Sequence, residues 1–338
     1  MKIAFHSSYL GYRGTEIALM DYAFGNSTLL GNKSFFLLPG SPDQGRHPVA
    51  DRLREIAPLR FYRSSDERDA ILREERADFF YCIKNGWNDG VVSRRFPTGI
   101  HAIFRESEFH GDVYAYVSPW LSRVMSHGKT PWVPHMVRLA EDTGNLRQEL
   151  GIPRENFVFG RHGGDDSFDI PWVQRAVVET ARQNRKIWFV FLNTRTFPGS
   201  HGLANVVFLP ATADPGRKRR FLNSCDAMLH GRQRGETFGL SCLEFAVLGK
   251  PVLTYAASPE RAHLEILGNA ASPYADRKRL LEFLLDPASR LHASQGRYQA
   301  QGEDCLSLEP GSRKPAVASF ADYRPDAVMG KFREVFLS

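Results

Sequence analysis

The sequence predicts an α/β protein built from two doubly wound parallel sheets, one in each half of the chain. Short apolar runs such as residues 79–83 and 187–192 are bounded by Gly or polar residues, which is typical of parallel strands buried on both faces. These runs alternate with helical patterns, which indicates βαβ units. The alternation stops near residue 140 and then restarts. A chain of 338 residues has a length typical of two domains.

Composition narrows the class of protein. The chain is 42% hydrophobic, which is enough apolar mass for a core and excludes a chain that is disordered throughout. It has no run of about 18 apolar residues, so no membrane-spanning helix is expected. The N-terminal apolar run is too short and too broken for a signal peptide, so we expect a cytoplasmic protein. The net charge of +6 is compatible with peripheral contact at an anionic membrane surface but does not require it.

The four cysteines show no CxxC pair and no framework spacing. They are Cys82, Cys225, Cys242 and Cys305. We expect free thiols and no structural zinc.

In the first half, strands and helices alternate from the start of the chain. The predicted strands are residues 2–6, 34–38, 79–83 and 100–104. The predicted helices are residues 16–22, 49–56 and 66–75.

The polar stretch 138–151 is predicted to be the hinge to the second half. The predicted strands beyond it are residues 157–160, 187–192, 206–209, 227–230 and 251–255. The predicted helices are residues 168–183, 218–223 and 241–248. A linker rich in Pro, Gly and Ser over 309–325 leads to a last helix over 326–336. In paired doubly wound domains the cleft between them is the expected ligand site.

The segment 235–254 carries the most specific chemistry. A strand ends at His230, a loop holds Glu236, and a helix beginning near Ser241 carries Glu244 in its first turn. Amides at a helix N-terminus bind anions, and Gly239 lets the backbone approach a phosphate closely. A carboxylate one turn into the helix can accept two hydrogen bonds from a ribose diol. A buried strand, loop and helix with two solvated glutamates is the alternative that these residues alone leave open.

Glu236 and Glu244 are separated by seven residues and followed by Gly-Lys-Pro-Val, which resembles the E-x7-E signature of retaining GT-B glycosyltransferases, family 4. Further segments are similar to that family in the same order along the chain. They are RGTE at 13–16, VPHMV at 133–137, LGIPRENFVFGR at 150–161 and FLNSCDAML at 221–229. The resemblance implies a GT-B fold, with an acceptor-side domain over 1–140 and a nucleotide-sugar domain over 141–315. A linker and helix over 316–338 would return to the first domain.

The resemblance also implies roles for individual residues. Glu236 would contact the donor sugar, and Glu244 would bind the ribose. The backbone from residue 238 to residue 241 would hold the sugar or the distal phosphate; it comprises Phe238, Gly239, Leu240 and Ser241. Arg161 would neutralise the diphosphate, since a guanidinium forks onto phosphate oxygens. Fixed cations and amides stabilise the departing nucleoside diphosphate, so no metal or cofactor is expected.

The chain departs from the family pattern in several places, among them Arg13 and Gly14, where the family often has two glycines. The family places a lysine about five residues after the arginine, and none stands there in this chain. The amides of Gly163 and Gly164 could serve the diphosphate instead, or a cation from elsewhere. The candidate cations are Arg195, Lys218, Arg232 and Arg234. His230 and Gly231 replace the usual Pro-Ser, and we place His230 and Arg232 among the donor-binding residues.

The family has a histidine near the donor sugar in the region of His101 and His110. We favour His110 as the catalytic one, because a loop at the carboxyl end of a strand faces a ligand cleft. His101 and Lys84 are assigned to the acceptor side, with a core or solvated role as the alternative for each. The loop residues Arg13, Gly14 and Thr15 are also predicted to lie on the acceptor side.

The sequence therefore predicts a retaining, metal-independent glycosyltransferase. Its substrates would be a nucleoside-diphosphate sugar and a hydroxyl of a glycan or lipid-linked acceptor. Two alternatives are a catalytically weak sugar-nucleotide-binding protein and a GT-B nucleotide-sugar epimerase. No G-x-G-x-x-G follows the first strand, which argues against a dinucleotide dehydrogenase. Nucleic acid is not expected as a partner, because the basic cluster 217–220 has no aromatic platform apart from Phe221.

Overall fold

The computed structural model describes residues 1–40, 46–291 and 320–338. The chain divides into two compact units. The first comprises Met1–Arg138 with Ala321–Ser338, and the second comprises Leu139–Phe320. In the described part of the chain, no helix is both long and apolar enough to cross a membrane. Cys82, Cys225 and Cys242 are buried free thiols, and Cys305 lies outside the described residues.

The first unit contains a six-stranded parallel sheet in the order β3-β2-β1-β4-β5-β6. Its strands are β1 Lys2–Ser7, β2 Lys33–Pro39, β3 Leu59–Tyr62, β4 Phe79–Lys84, β5 Thr98–Ala102 and β6 Val113–Tyr116. Its helices are α1 Gly14–Thr28, α2 Pro48–Ile56, α3 Ser65–Glu74 and α4 Pro119–Ser126, together with a C-terminal helix, Pro325–Phe336.

Side-chain caps fix where these helices begin. The Ser64 hydroxyl accepts the Glu67 N–H at 3.2 Å, and the Ser118 hydroxyl accepts the Leu121 N–H at 3.1 Å. The C-terminal helix inserts Phe332 into the core, where its ring stacks on Tyr22 with centroids 5.4 Å apart. The last segment of the chain therefore belongs to the core of the first unit.

The second unit has a six-stranded parallel sheet in the order β14-β12-β10-β7-β8-β9. Its strands are β7 Phe157–His162, β8 Ile187–Leu192, β9 Val206–Leu209, β10 Ala227–His230, β12 Val252–Tyr255 and β14 Ala271–Tyr274. Two short strands, β11 Gly235–Glu236 and β13 Glu260–Arg261, pair separately. Its helices include α5 Pro171–Gln183, α6 Pro215–Ser224, α7 Leu240–Ala246, α8 Ala262–Leu267 and α9 Arg277–Leu285.

Counted within its own unit, each sheet has the strand order 3-2-1-4-5-6, and every pairing in it is parallel. This is the doubly wound arrangement, so the predicted α/β fold class with two parallel sheets is confirmed. The order reverses between β1 and β4 in the first unit and between β7 and β10 in the second. Ligands of such sheets bind beyond the carboxyl ends of the strands at this reversal.

Several predicted elements have different bounds in the structure, for example the helix predicted over 16–22, which spans Gly14–Thr28. The helix predicted over 168–183 begins at Pro171, because the Asp169 N–H bonds to the Gly231 carbonyl at 3.1 Å and Ile170 is extended. The linker predicted over 309–325 lies outside the described residues up to 319. From Phe320 to Tyr323 the chain forms a 3-10 turn instead, and the Tyr323 carbonyl accepts the Val137 N–H at 2.9 Å.

Candidate active-site residues

Glu236 lies in the short strand β11, in the segment between β10 and α7, and Gly239 determines where that helix begins. The φ angle of Gly239 is +91°, a left-handed conformation that favours glycine. A Cβ atom there would lie 2.6 Å from the Cβ of His263. Only glycine therefore fits at this position without a shift of α8.

Glu236 is held by His230, at the end of β10, and by Arg232, in the loop that follows. Its Oε2 accepts a hydrogen bond from Arg232 Nη1 at 2.7 Å, and its Oε1 lies 3.3 Å from His230 Nε2. Burial would raise the pKa of Glu236, but the Arg232 charge and the His230 hydrogen bond outweigh burial and hold that pKa well below its usual range. Glu236 is thus a carboxylate fixed at both oxygens.

The contacts of His230 continue into the interior of the sheet. His230 Nδ1 is 2.9 Å from Thr254 Oγ1, and the same hydroxyl is 2.9 Å from His263 Nε2. The parallel register of β10 and β12 pairs His230 directly with Thr254. We call Arg232, Glu236, His230, Thr254 and His263 the Glu236 network.

Glu244, in α7, has a separate set of partners. Lys218 Nζ, from α6, donates to Glu244 Oε1 at 2.6 Å. His162 Nε2, at the end of β7, lies 3.0 Å from Oε2 but is not aligned for a hydrogen bond. Burial alone would raise the pKa of Glu244, but Lys218 and His162 together lower it to about 2. The carboxylate is therefore ionised and charge-compensated within the second unit.

Arg161 is buried and bonded to the loops around it. Its Nη2 donates to the Gly164 carbonyl at 2.9 Å, and its Nη1 donates to the Thr194 hydroxyl at 2.5 Å. Burial lowers the pKa of Arg161 to about 10. Gly163 has a φ of +151°, and a Cβ there would lie 3.2 Å from Arg161 Nη2. In this structure the guanidinium supports the 163–167 loop, and its predicted contact with a diphosphate stays a prediction.

The four cations considered as replacements for the missing lysine all make ion pairs. The pairs are Arg195–Asp165, Lys218–Glu244, Arg232–Glu236 and Arg234–Glu260.

Phe238 is buried, whereas Leu240 and Ser241 are half-buried at the start of α7. Beside the loop, Asp169, Gln233, Arg234, Tyr255, Ala257 and Pro259 line a cavity of about 360 Å³.

In the first unit the structure brings Lys84 and His110 together. Lys84, at the end of β4, is buried, forms an ion pair with Asp89 and lies 3.0 Å from His110 Nε2. His110 Nδ1 lies 2.5 Å from the Glu108 carbonyl. Burial lowers the pKa of His110, and the charge of Lys84 adds to this effect. The neutral ring therefore donates Nδ1–H to the carbonyl and accepts from the ammonium at Nε2.

The other predicted acceptor-side residues are not gathered around this pair by any described contact. His101 is fully buried in β5, with Nδ1 2.6 Å from the Tyr81 hydroxyl and Nε2 2.9 Å from the Val133 carbonyl. This environment favours the core role that the sequence left open for His101. Arg13 and Gly14 are exposed and Thr15 is half-buried where α1 begins.

Sequence reasoning missed several of these contact residues, among them Asp89, His162, Thr254 and His263. His162 directly follows Arg161, and Thr254 is the last residue but one of a predicted strand, so proximity to strand ends was the available signal. Asp89 and His263 stand in segments with no predicted element, and no pattern marks them. In residues 1–40, 46–291 and 320–338, no cluster of three or more His, Cys, Asp or Glu side chains could hold a metal ion.

Two doubly wound units with the same strand order define the GT-B-like class of fold. No family model and no curated protein matches the chain. The chain does match solved structures. HepE of Anabaena, in complex with UDP and glucose, is 16% identical with a TM-score of 0.64, over 87% of this chain and 92% of that one.

Two further solved structures share the fold. WaaG, a glycosyltransferase involved in lipopolysaccharide biosynthesis, is 15% identical with a TM-score of 0.56, over 91% of this chain and 96% of that one. UDP-GlcNAc 2-epimerase of Neisseria meningitidis, bound to UDP-GlcNAc, is 12% identical with a TM-score of 0.61, over the whole of both chains. At these identities the similarity establishes the fold.

Proposed function

We propose that the protein is a retaining, metal-independent glycosyltransferase that moves a sugar from a nucleoside-diphosphate sugar to a glycan or lipid-linked acceptor. One observation carries the proposal. Glu236 and Glu244 have the E-x7-E spacing, and both are ionised side chains held by separate sets of cationic or histidine partners. Two solvated glutamates, the alternative that the sequence left open, would not have such partners.

Each carboxylate has a distinct proposed role. Glu236, fixed at both oxygens, would contact hydroxyls of the donor sugar. Glu244 would accept the ribose diol, and the diol would then compete with Lys218 for Oε1. Lys218 would turn to the diphosphate and take the place of the missing family lysine. Of the four candidate cations we favour Lys218, because it alone pairs with the proposed ribose carboxylate.

Charge development in the reaction explains why such groups would accelerate it. The departing nucleoside diphosphate gains negative charge in the transition state, so cations fixed beforehand stabilise that state selectively. Lys218 and Arg161 would supply this charge in the second unit. Retention would follow if the leaving phosphate accepts the acceptor proton on the face from which it departs. In the first unit, His110 would lie by the donor sugar.

We propose uridine diphosphate as the carrier, because two similar folds hold UDP or UDP-GlcNAc. A lipid-linked acceptor agrees with the lipopolysaccharide pathway of WaaG and with the charge of +6. The site of action would then be the cytoplasm, at the membrane surface.

A nucleotide-sugar epimerase is the second candidate, because the UDP-GlcNAc 2-epimerase fold matches over the whole of both chains. An epimerase would isomerise the donor without an acceptor. Incubation with UDP-sugars alone, followed by chromatography of the nucleotide sugar, separates this function from glycosyl transfer.

The first experiment is thermal unfolding with EDTA across UDP, GDP, ADP, CMP and their sugar conjugates. A ligand at about 100 times its Kd stabilises the folded protein by roughly 2.7 kcal/mol, which moves Tm by several degrees. We expect a shift with UDP-sugars that is lost in Glu244→Gln. No shift with any nucleotide would contradict the proposal. A shift without transfer to an acceptor and without isomerisation would indicate the weak binding protein.

A further inference from the structure

We infer that Thr254 and His263 are positioning residues that hold His230 in the tautomer whose Nε2–H faces Glu236. The inference rests on the proposed function in that Glu236 is taken as the donor-sugar contact. The contacts that carry it lie wholly within the second unit. They run from His263 through Thr254 and His230 to Glu236 at 2.9, 2.9 and 3.3 Å.

The proton positions follow from the charge of Glu236. An ionised carboxylate can only accept, so His230 must donate through Nε2–H. In the neutral form of His230 the imidazole carries one proton, so Nδ1 must then accept, and its donor is the Thr254 hydroxyl. The Thr254 oxygen then accepts from His263 Nε2–H. Each hydrogen bond in the chain is thereby directed toward Glu236.

Burial keeps water from relaxing this order of donors and acceptors. His230, Thr254 and His263 are at most 3% exposed, so bulk water does not replace a missing partner. Without the Thr254 hydroxyl, neutral His230 would lose the donor at Nδ1, and a proton at Nδ1 would become the alternative. That tautomer would turn a nitrogen lone pair toward the Glu236 carboxylate. Arg232 would still hold Oε2, so Glu236 would remain ionised but lose its second constraint.

The backbone of the second unit accommodates this series of hydrogen bonds. The register of β10 and β12 places His230 beside Thr254. The missing side chain of Gly239 admits α8, and with it His263, at a distance that a Cβ would not allow. The same glycine therefore serves the loop conformation and the approach of the last histidine.

The test compares Thr254→Val, which removes the hydroxyl at nearly constant volume, with Thr254→Ser, which retains it. Nitrogen-15 NMR of histidine-labelled full-length protein, without ligand, reports the tautomer of neutral His230, with its signals assigned by His230→Gln. We expect the Nε2–H form in the wild type and in Thr254→Ser. In Thr254→Val we expect an increased Nδ1–H population. If Thr254→Val does not fold, Thr254→Ala removes the same hydroxyl without adding volume.

Kinetics give the second readout. A displaced reacting group can cost roughly ten- to a hundredfold in rate. We therefore expect kcat to fall by about that factor in Thr254→Val and to recover in Thr254→Ser, with the Kd of UDP unchanged within about twofold. An unchanged tautomer in Thr254→Val and Thr254→Ala overturns the inference. A changed tautomer in a wild-type protein that neither binds nor turns over UDP-sugars supports the positioning chain and refutes the proposed function.

Discussion

Replacing Glu244 by Gln tests a buried, charge-compensated carboxylate in the second unit. Its pKa of about 2 lies below the ordinary value of 4.5, and this difference corresponds to about 3 kcal/mol of folding stability. Removing one partner of a buried ion pair costs a similar amount, roughly 3–5 kcal/mol, because Lys218 is left uncompensated. The side chains of Glu244 and Lys218 are 3% and 16% exposed, so solvent screens the pair little.

Urea unfolding across a pH series measures the effect. The folded-state pKa is depressed, so the stabilisation is present above about pH 4.5 and is lost as the pH falls toward 2. The stability difference between wild type and Glu244→Gln should therefore be about 3 kcal/mol at pH 7 and should shrink toward zero near pH 2.

Glu149→Gln is the matched control, because Glu149 pairs with Arg217 on the same helix as Lys218 but at the surface. An exposed pair contributes at most about 1 kcal/mol. A difference for Glu244→Gln that does not change with pH, or that is no larger than that of Glu149→Gln, would refute the reasoning.

Three further predictions concern other features. Gly239→Ala should destabilise the protein by more than the roughly 1 kcal/mol expected for Gly249→Ala, since both have positive φ but only Gly239 meets a neighbouring Cβ; equal urea midpoints would contradict this. Burial lowers the pKa of His101 to about 4, so stability should fall as pH drops from 6.5 toward 4, and His101→Gln should flatten that part of the unfolding profile. Lys84→Met should lower kcat by about tenfold or more and leave the UDP Kd, measured by calorimetry, unchanged, because it frees the His110 ring; a changed Kd with normal kcat would argue against it.

The sequence predicted the strongly apolar strands and missed several strands of only four residues. Residues 187–192 are apolar throughout and form β8, whereas Leu59–Tyr62 and Val113–Tyr116 mix half-buried and buried positions over only four residues. Hydrophobic periodicity has too few residues to act on in such short strands. The parallel, doubly wound class of both sheets nevertheless followed from the βαβ alternation.

At the candidate site, the sequence predicted features within one segment of the chain but not contacts between distant segments. Glu236 and Glu244 stand out because their spacing lies within one strand-loop-helix segment. The partners Lys218, Thr254 and His263 come from three other elements, and only the folded sheet brings them to the glutamates. His101 shows that the sequence also fails to separate a core residue from a site residue. A histidine in a strand has the same sequence signal in a core as in a site, and its burial decides between them.

The ion pairs in the second unit bear on how an anionic ligand would arrive. Four of its cations are matched by carboxylates within 2.6–2.8 Å. Their charges cancel locally, so they create little long-range attraction for a nucleotide. Ionic strength should therefore alter the association rate of a nucleotide only weakly. Selectivity would arise after contact, when ligand hydroxyls and phosphates exchange places with the protein's own carboxylates.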